Sequence, residues 1–396
     1  MRRTPKLYNA LIRLLTPSPW RDKRHLLSLA WMVVGLILSA KISLGEWTAF
    51  VSGRARFAQS HERRFKRWLY NERIEALALY TPVIQNALLD WDEPKIYVAL
   101  DTSMLWNTYC LIRLSVIYRG RAIPLVWEVI EHPSSAVALD RYKGLLQTAH
   151  RLLAPRLEVV FLADRGFVDT ELMEYLSQDL GWRFRIRLKK GIVLYRQGAR
   201  KWRKLTVRAA HGHARFYHNI WISQEFLGPV HLAFARLRGS RETWLIVSDE
   251  PTAMKTFEEY ALRFDIEENF LDDKSNGFQL ESSQIRDPAA LTWLCLVLAI
   301  ATLFLISQGT EVVKKGRRRC VDPHWFRGLS YLKIGWRWVR QASVKGYRLI
   351  RRFSLCGNTD PEPARSSRKY KPASSIASKF REHYEIFPLD CQPVCD

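Results

Sequence analysis

The sequence lacks the cysteine pairing that would indicate a zinc knuckle or a disulfide framework. Its six cysteines include no CxxC pair, and Cys391 and Cys395 near the end have no further ligands at metal-binding spacing. We therefore expect reduced thiols in a cytoplasmic protein. His211, His213 and His218 also lie without a Cys or an acid at ligand spacing, which indicates strand or turn histidines rather than a metal site.

Acidic residues are scarce relative to basic ones. The 396 residues include 62 Lys or Arg but only 39 Asp or Glu, which gives a formal charge of +23 and a pI near 10.0. This excess is larger than solubility requires and indicates a polyanionic partner, either a nucleic acid or an anionic membrane surface. The chain is 47% hydrophobic and long enough for two or three folded domains.

Long uncharged apolar runs are also few. Residues 26–40 form a run that is short for a bilayer, whereas residues 289–307 are long enough to span one. Hydroxyl residues inside the second run, and Arg286 and Asp287 just before it, favour a buried core helix. We expect no membrane segment, and no signal peptide, because the first apolar run starts late and no small-residue cleavage site follows it.

Residues 1–92 are predicted to form a helical DNA-binding domain. Periodicity predicts three helices separated by short breaks, at residues 26–40, 43–51 and 60–70. Ser60 is the predicted N-cap of the third helix, which carries four Lys or Arg beside Phe65 and Trp68. This composition fits a helix that contacts DNA, and it fits a solvated basic face equally well.

After residue 92 the pattern becomes that of strands. Apolar and β-branched runs predict strands at 96–101, 111–119, 122–129, 158–164 and 183–188, with helices at about 139–153 and 170–177. The order β-β-β-α-β-α-β is typical of an α/β fold of the RNase H-like kind, a mixed five-stranded sheet with helices on both faces. The predicted domains after the first are a core in two parts, 93–190 and 253–310, a β-rich insertion, 191–252, a basic helical C-terminal region, 311–356, and a disordered tail, 357–396.

Basic residues alternate with apolar ones in the fifth predicted strand. Arg183, Arg185 and Arg187 therefore share one face, and we predict that they contact phosphate. The same stretch continues to residue 208 with eleven Lys or Arg and no acid. Residues 314–352 hold thirteen Lys or Arg against one acid and are a second candidate for phosphate contacts.

The stretch YALRFDIEENFLDDK, residues 260–274, is predicted to be one helix. Tyr260, Arg263, Glu267 and Lys274 are spaced by three, four and seven, so an advance of about 100° per residue keeps them within roughly 60° of one another. Taken alone, an ordinary amphipathic helix with an i,i+4 ion pair explains this pattern better than a functional site. The acids that follow Glu267 in this stretch are expected to point away or to be solvated: Glu268, Asp272 and Asp273.

Asp101 and Asp164 each follow an apolar strand, and the first and fourth strands of such a sheet are adjacent. Their carboxylates are therefore predicted to converge. Glu267, on a helix laid across the sheet, would complete a set of hard oxygen ligands that suits two octahedral Mg²⁺ ions. A single Asp at a strand end is more often a turn former, but three acids at these topological positions are rarely coincidental.

These motifs resemble those of DDE transposases of the bacterial insertion-sequence group IS4, related to the Tn5 and Tn10 type. The matching pieces are ALDTS at 99–103, LADRGF at 162–167 and a Y-x2-R-x3-E-x6-K signature met by Tyr260, Arg263, Glu267 and Lys274. The similarity extends over about residues 95–310, and the flanking regions match only in general character.

The resemblance implies roles for individual residues. It makes Asp101, Asp164 and Glu267 the catalytic acids and the ligands of two Mg²⁺ ions, with Mn²⁺ as a substitute. It gives the binding of phosphates beside the cleaved end to three residues of the signature: Tyr260, Arg263 and Lys274. A tryptophan of the insertion would hold a flipped base, and Trp244 is the best match, with Trp221 and Trp202 as alternatives.

The implied function is a cut-and-paste DNA transposase that binds the terminal inverted repeats of its element. Cleavage through hairpin ends and strand transfer to target DNA are implied, as are a homodimer in the synaptic complex and a cytoplasmic, nucleoid-associated location in bacteria. The alternatives are a catalytically inactive transposase-derived DNA-binding protein, a membrane-attached protein and a nuclease without strand transfer. An inactive copy would usually have lost one of the three acids, and all three are present.

Overall fold

The computed structural model describes residues 5–53, 55–198, 201–238, 243–357, 359–363 and 385–387. Within these residues the strands are β1 Lys95–Leu105, β2 Tyr109–Tyr118, β3 Arg121–Glu131, β4 Glu158–Ala163, β5 Arg183–Arg187, β6 Leu194–Gln197, β7 Trp202–Lys204, β8 Ala214–Ile222, β9 Leu227–Arg236, β10 Thr243–Ser248 and β11 Glu385–Phe387. They form one mixed sheet in the order β3-β2-β1-β4-β5-β10-β9-β8-β6-β7, and β11 pairs with β8.

The α-helices of the described residues lie before, within and after this sheet. They are α1 Lys6–Leu15, α2 Lys23–Ser39, α3 Leu44–Trp47, α4 Ala58–Leu69, α5 Ala76–Leu88, α6 Leu139–Leu152, α7 Thr170–Glu174, α8 Met254–Ala261, α9 Phe264–Leu271, α10 Pro288–Lys314 and α11 Tyr331–Lys345. The protein is therefore of the mixed α/β class, as predicted.

The first five strands have the arrangement predicted for an RNase H-like core. β1 pairs antiparallel with β2 and parallel with β4, and β4 pairs parallel with β5. The connection from β3 to β4 contains α6, and the connection from β4 to β5 contains α7, as parallel pairs require. Since β1 and β4 are neighbours, the acids that follow their buried segments are brought to one edge.

The sheet does not stop after five strands, which corrects the five-stranded prediction. β10 pairs antiparallel with β5, from Ile246 opposite Arg187 to Ser248 opposite Arg185. β9 and β8 then continue the same sheet. The predicted insertion, residues 191–252, thus extends the core sheet. Alternation of apolar residues predicts strands, but it does not specify which strand pairs with which.

The N-terminal helices pack into the main core. Three of them overlap the predicted ones, while α1 and α5 were not predicted; α5 contains Pro82, a residue that usually interrupts a helix. α4 begins at Ala58 rather than Ser60, and Phe57 precedes it without a side-chain cap. Phe65 and Trp68 are buried, and Arg63, Lys66 and Arg67 are exposed on the outer side of α4, whereas Arg64 is half-buried.

Residues after 356 include two described pieces. Asp360 accepts a hydrogen bond from Arg327 at 2.7 Å, and Glu362 accepts one from Arg318 at 2.7 Å, so residues 359–363 are attached to the C-terminal region. β11 pairs with β8 in parallel. The rest of the segment predicted to be disordered lies outside the described residues, together with Cys391 and Cys395.

α10 is the long apolar helix, and it is long and apolar enough to cross a membrane. However, 83% of its most apolar window is buried inside the protein, against the sheet and α11. The prediction of a core helix agrees with this position. Its N-terminus is capped by Asp287, whose carboxylate accepts a hydrogen bond from the Ala290 amide at 2.7 Å.

α10 and α11 cross where two glycines meet. A Cβ on Gly309 would lie 2.0 Å from the carbonyl oxygen of Tyr331, and one on Gly335 would lie 1.9 Å from that of Leu305. Only hydrogen fits at these two positions, because both backbones are in direct contact. The close crossing of the two helices therefore depends on the absence of a side chain.

We expect Gly335→Ala to lower the stability of the protein by at least about 2 kcal/mol, since the added methyl overpacks the crossing. The midpoint of denaturant unfolding measures the change. Gly144→Ala is the matched control: Gly144 is also in a helix, but a Cβ there meets no atom within 4 Å. That control should be neutral or stabilising by up to about 1 kcal/mol. Equal losses in both variants would contradict the crossing argument.

Candidate active site

Asp101 and Asp164 lie on neighbouring strands. Leu100 of β1 pairs with Ala163 of β4, so the two acids follow at adjacent positions. The prediction that Asp101 ends its strand is wrong, because β1 continues to Leu105. The Asp101 carboxylate accepts a hydrogen bond from the Thr102 amide at 2.8 Å, and the Asp164 carboxylate accepts one from the Gly166 amide at 2.6 Å. These backbone bonds hold each carboxylate beside its own strand.

The stretch 260–274 is not one regular helix. α8 ends at Ala261 and α9 begins at Phe264, and the amides of Leu262 and Arg263 bond to the carbonyls three residues back. Residues 272–276 then widen into a π-helical turn. The tight turn at residues 262–263 and the π-helical turn at 272–276 both depart from the regular advance of about 100° per residue. The four signature side chains therefore do not lie along one face.

Arg263 connects two of the predicted catalytic acids. It is buried, and its guanidinium donates a hydrogen bond to Glu267 and lies 3.6 Å from the Asp101 carboxylate. The Glu267 side chain is 49% exposed. α9 packs on β1, β2 and β3, which places Glu267 over the strand that carries Asp101. The predicted convergence of Asp101 with Glu267 is therefore present, with the arginine between them.

The charges of the other two carboxylates act on Asp101. Burial raises the pKa of Asp101 to about 6; the Arg263 charge lowers it, and the charges of Asp164 and Glu267 raise it further. Asp101 is therefore charged at neutral pH, and its burial makes that charge unfavourable in free energy. A cation bound nearby would offset this unfavourable free energy. We conclude that these acids form one electrostatic cluster.

The donor set has the chemistry that a divalent ion requires. Asp101, Asp164 and Glu267 offer hard carboxylate oxygens, the ligand type preferred by Mg²⁺ and Mn²⁺. As the side chains stand, no group of three His, Cys, Asp or Glu within the described ranges is gathered closely enough to hold a metal ion. Arg263 occupies the position between two of the acids. The residues fit a divalent ion if this guanidinium exchanges its partners.

Tyr260 and Lys274 stand on different sides of the candidate site. Tyr260 is fully buried, and the Arg263 guanidinium lies 5.9 Å from the centre of its ring. The Lys274 ammonium donates a hydrogen bond to the carbonyl of Met104, three residues beyond Asp101 on β1. Burial lowers the pKa of Lys274, while the charge of Glu281, 3.9 Å away, raises it. Lys274 is thus the signature cation nearest to that end of β1.

Trp244 does not have the exposure that base binding requires, which corrects its predicted role. It is 4% exposed and packs at right angles to Tyr260, with a ring-centre distance of 5.3 Å. Because β10 belongs to the core sheet and α8 covers it, the indole belongs to a second core cluster. Of the alternatives, Trp202 is 41% exposed, and it packs against Trp221 with ring centres 4.7 Å apart.

Of the three arginines predicted to contact phosphate on β5, two are paired with acidic side chains. Arg185 is 4% exposed, which corrects its predicted contact with phosphate, because it donates to Glu259 at 2.9 Å and pairs with Glu250. Arg183 is 48% exposed and donates to Asp249 at 3.2 Å. The guanidinium of Arg187 donates to the Thr243 carbonyl at 3.0 Å. Of the three, Arg183 and Arg187 remain candidates for phosphate contacts.

Two buried ion pairs beside the site were not predicted. Arg113, opposite Asp101 across β1 and β2, donates to Asp273 at 2.6 Å, and Arg121 donates to Asp272 at 2.6 Å. Both aspartates are therefore buried rather than solvated. One feature of the sequence does indicate a buried ion pair: Arg113 is the single charged residue of the apolar strand YCLIRLSVIY. These pairs attach the turn that carries Lys274 to the sheet. Glu268 points away from the acids, as predicted, 3.9 Å from Arg121.

The strand order and the carboxylate cluster agree with the RNase H-like class of fold. Residues 109–304, just under half of the chain, match the family model described as the transposase DDE domain. The matched segment contains Asp164 and Glu267 and ends within α10, whereas Asp101 lies eight positions before it. Over this segment the chain is similar to transposase DDE domains, and the match does not reach the finer assignment to the IS4 group.

Two solved structures are similar at low identity. A piggyBac transposase synaptic complex with hairpin DNA is 11% identical, with a TM-score of 0.42 over 87% of this chain and 79% of that one. An Argonaute of Marinitoga piezophila, in complex with guide RNA and target DNA, is 9% identical, with a TM-score of 0.22 over 54% of this chain and 32% of that one. No curated protein matches the chain.

Proposed function

We propose that the protein is a cut-and-paste DNA transposase of the IS4 group. It binds the terminal inverted repeats of its element, cleaves both strands and joins the ends to target DNA. The observation that carries this proposal is the placement of Asp101 and Glu267 on either side of Arg263, with Asp164 on the strand next to Asp101, inside or next to the segment that matches the transposase DDE domain. The charge of +23 supports a polyanionic substrate.

Asp101, Asp164 and Glu267 would hold two Mg²⁺ ions, or Mn²⁺ in their place. When bound, such ions supply the positive charge that favours the attacking water or 3′-hydroxyl and stabilises the leaving oxygen. Asp101 contributes as a charged carboxylate, and its raised pKa makes a cation a favourable neighbour. Thr102 and Gly166 keep the two aspartates oriented through their backbone amides.

Arg263 and Lys274 would position the phosphates beside the cleaved bond. Arg263 has two carboxylate partners, and replacing them with a DNA phosphate would keep its buried guanidinium compensated. Lys274 lies along β1 from Asp101 and offers a point charge to a neighbouring phosphate. Tyr260 would help to position Arg263, because its buried ring packs against the guanidinium.

We further propose the finer features that the resemblance implies. These are hairpin ends as intermediates, a homodimer that synapses two ends, and a cytoplasmic, nucleoid-associated location. Trp202, the exposed member of the three candidate tryptophans, takes over the proposed role in holding a flipped base.

The decisive experiment is cleavage of a supercoiled plasmid that carries the flanking inverted repeats. With Mg²⁺ or Mn²⁺ the protein is expected to release a linear donor backbone, and addition of EDTA should abolish the release. End binding is measured in parallel by gel shift. A protein that binds the ends but cuts with neither ion is the inactive DNA-binding alternative. A protein that cuts the ends but never joins them to target DNA is a nuclease.

A further inference from the structure

A large cavity lies at the far end of α10 from the candidate active site. Its walls come from α1, the last turns of α10 and residues 346–356, and its volume is about 1180 Å³. The other end of α10 is tied to the catalytic edge: Tyr109, opposite Leu105 of β1, donates a hydrogen bond to the Arg286 carbonyl at 2.9 Å. Asp101 is level with Thr292 of α10, because Arg113, opposite Asp101, pairs with Trp127, whose indole donates to the Thr292 carbonyl at 2.9 Å. From Thr292 to Thr310, which lines the cavity, the helix extends about 27 Å.

The lining of this cavity is strongly basic. It includes eight Lys or Arg and one acid, Glu311. Lys315 pairs with Glu311, and Arg352 pairs with Asp90. Within the described parts of the chain, five of the remaining cations have no carboxylate partner: Lys6, Arg13, Arg317, Arg348 and Arg351. Such a concentration of uncompensated positive charge around one volume favours the binding of an anion with several charges.

The wall of the cavity is held in place by contacts that do not use its cations. Trp338 stacks on Tyr347 with ring centres 4.2 Å apart, and its indole donates to the Arg348 carbonyl at 3.0 Å. The Ile350 amide donates to Gln308 of α10 at 2.9 Å, and the Leu355 amide donates to the carbonyl of Ala87 at 2.7 Å. The cavity is therefore preformed, so binding there needs little ordering of the backbone.

The positive charges near the cavity lower the pKa of one group that lines it, the Cys356 thiol. The Cys356 thiol lines the cavity, 2.6 Å from the Lys314 ammonium and 3.5 Å from the Arg119 guanidinium. Burial would raise the pKa of this thiol, but the hydrogen bonds from Lys314 and Tyr118 and the charge of Arg119 lower it. The floor of the cavity thus stabilises a negative charge.

We infer that this cavity binds the phosphodiester backbone of DNA at a second site, remote from the carboxylates. The inference rests on the proposed function and extends it, because it assigns a position on the substrate. At about 3.4 Å per base pair, the roughly 27 Å along α10 correspond to roughly eight base pairs. A duplex whose cleaved end lies at Asp101 would reach the cavity within its first helical turn.

The first test measures how duplex binding depends on salt. Neutralising Arg13, Arg348 and Arg351 together with Gln should reduce the slope of log affinity against log salt by about two to three, since each lost phosphate contact contributes about 0.9. The matched control neutralises three exposed cations on or next to α6, outside the cavity and outside the segments predicted to contact phosphate: Arg141, Arg151 and Arg156. Equal changes of slope in the two triple variants would overturn the inference.

The second test uses Cys356 as a reporter in the unmodified full chain. Its thiolate attacks the methylene carbon of iodoacetamide and expels iodide, and mass spectrometry of the peptides gives the rate at each cysteine. A duplex longer than the roughly eight base pairs estimated above should slow alkylation of Cys356 several-fold but leave exposed Cys320 unchanged. Equal protection of both cysteines, no protection, or protection by ATP but not by the duplex would each overturn the inference.

The two proposals fail in distinguishable ways. Protection of Cys356 without end cleavage would leave the cavity as a DNA site and remove the catalytic function. End cleavage with Cys356 unprotected would leave the transposase function and remove the second DNA site. The cavity variants also keep every residue placed at the catalytic edge.

Discussion

Glu267→Gln is expected to reduce cleavage of donor ends by at least about a thousandfold, or about 4 kcal/mol of transition-state stabilisation. Glutamine keeps the shape of the side chain but removes the negative charge that pairs with Arg263. It also removes one of the three anionic oxygen donors of the cluster. Binding of the inverted repeats should change by no more than about twofold, because the overall positive charge of the protein rises slightly.

Glu268→Gln is the matched control for this variant. It makes the same chemical change one residue away, at a carboxylate that lies 3.9 Å from Arg121 and outside the acid cluster. Cleavage should remain near that of the original protein. If both variants lose cleavage equally, or if Glu267→Gln loses end binding together with cleavage, the catalytic role of Glu267 is refuted.

Asp101→Asn should lose cleavage to the same extent without losing stability. The pKa of Asp101 in the folded protein, about 6, lies above its ordinary value of 3.8. Its ionisation therefore opposes folding by up to about 3 kcal/mol at neutral pH, and this cost disappears below pH 3.8. Asparagine has no such charge, so the variant should melt no lower than the original protein at pH 7. In the proposed active site, we attribute the loss of stability caused by this buried charge to its role in function.

Arg185→Ala is expected to destabilise the protein by about 3 to 5 kcal/mol. Removing the guanidinium leaves Glu259 buried without its 2.9 Å partner and also deprives Glu250 of a hydrogen bond. The midpoint of denaturant unfolding measures the loss, and DNA affinity per folded molecule should stay unchanged. This combination separates a structural arginine from one that binds phosphate.

Arg183→Ala provides the comparison on the same strand. Its side chain is half exposed, and its ion pairs are screened by solvent, so the loss should be below about 1 kcal/mol. A salt-dependent loss of DNA binding, if Arg183 contacts phosphate, would appear in this variant. A stable Arg185→Ala variant with weakened DNA binding would reverse the assignment of the two arginines.

The sequence was informative where a function depends on nearby residues. Asp101 and Asp164 were predictable because apolar strands followed by an acid are local patterns, and the order of elements makes those strands neighbours. The pairing of Arg263 with Glu267 was predictable from the i,i+4 spacing. The core position of α10 followed from its composition and its flanking charges.

Predictions from the sequence were wrong where the environment of a residue depends on a partner far away in the chain. Arg185 is neutralised by Glu259, 74 positions away, and no local pattern contains that information. Trp244 is a strand residue in the sequence pattern, but the pattern does not show that α8 covers it with Phe257 and Tyr260. The break at Leu262 results from tightened hydrogen bonds that propensity does not reveal. Propensity also missed α5, where Pro82 is tolerated.

The pairing of β10 with β5 has a mechanical consequence. A domain inserted through two flexible linkers could swing, but here the inserted strands share backbone hydrogen bonds with the strand next to β4, which leads into Asp164. Because these strands belong to one hydrogen-bonded sheet, we expect a force applied at β8 or β9 to reach the strands that lead into Asp101 and Asp164 without an intervening hinge. DNA gripped by the inserted strands would be aligned by stiffness, and any adjustment for chemistry would fall to side chains.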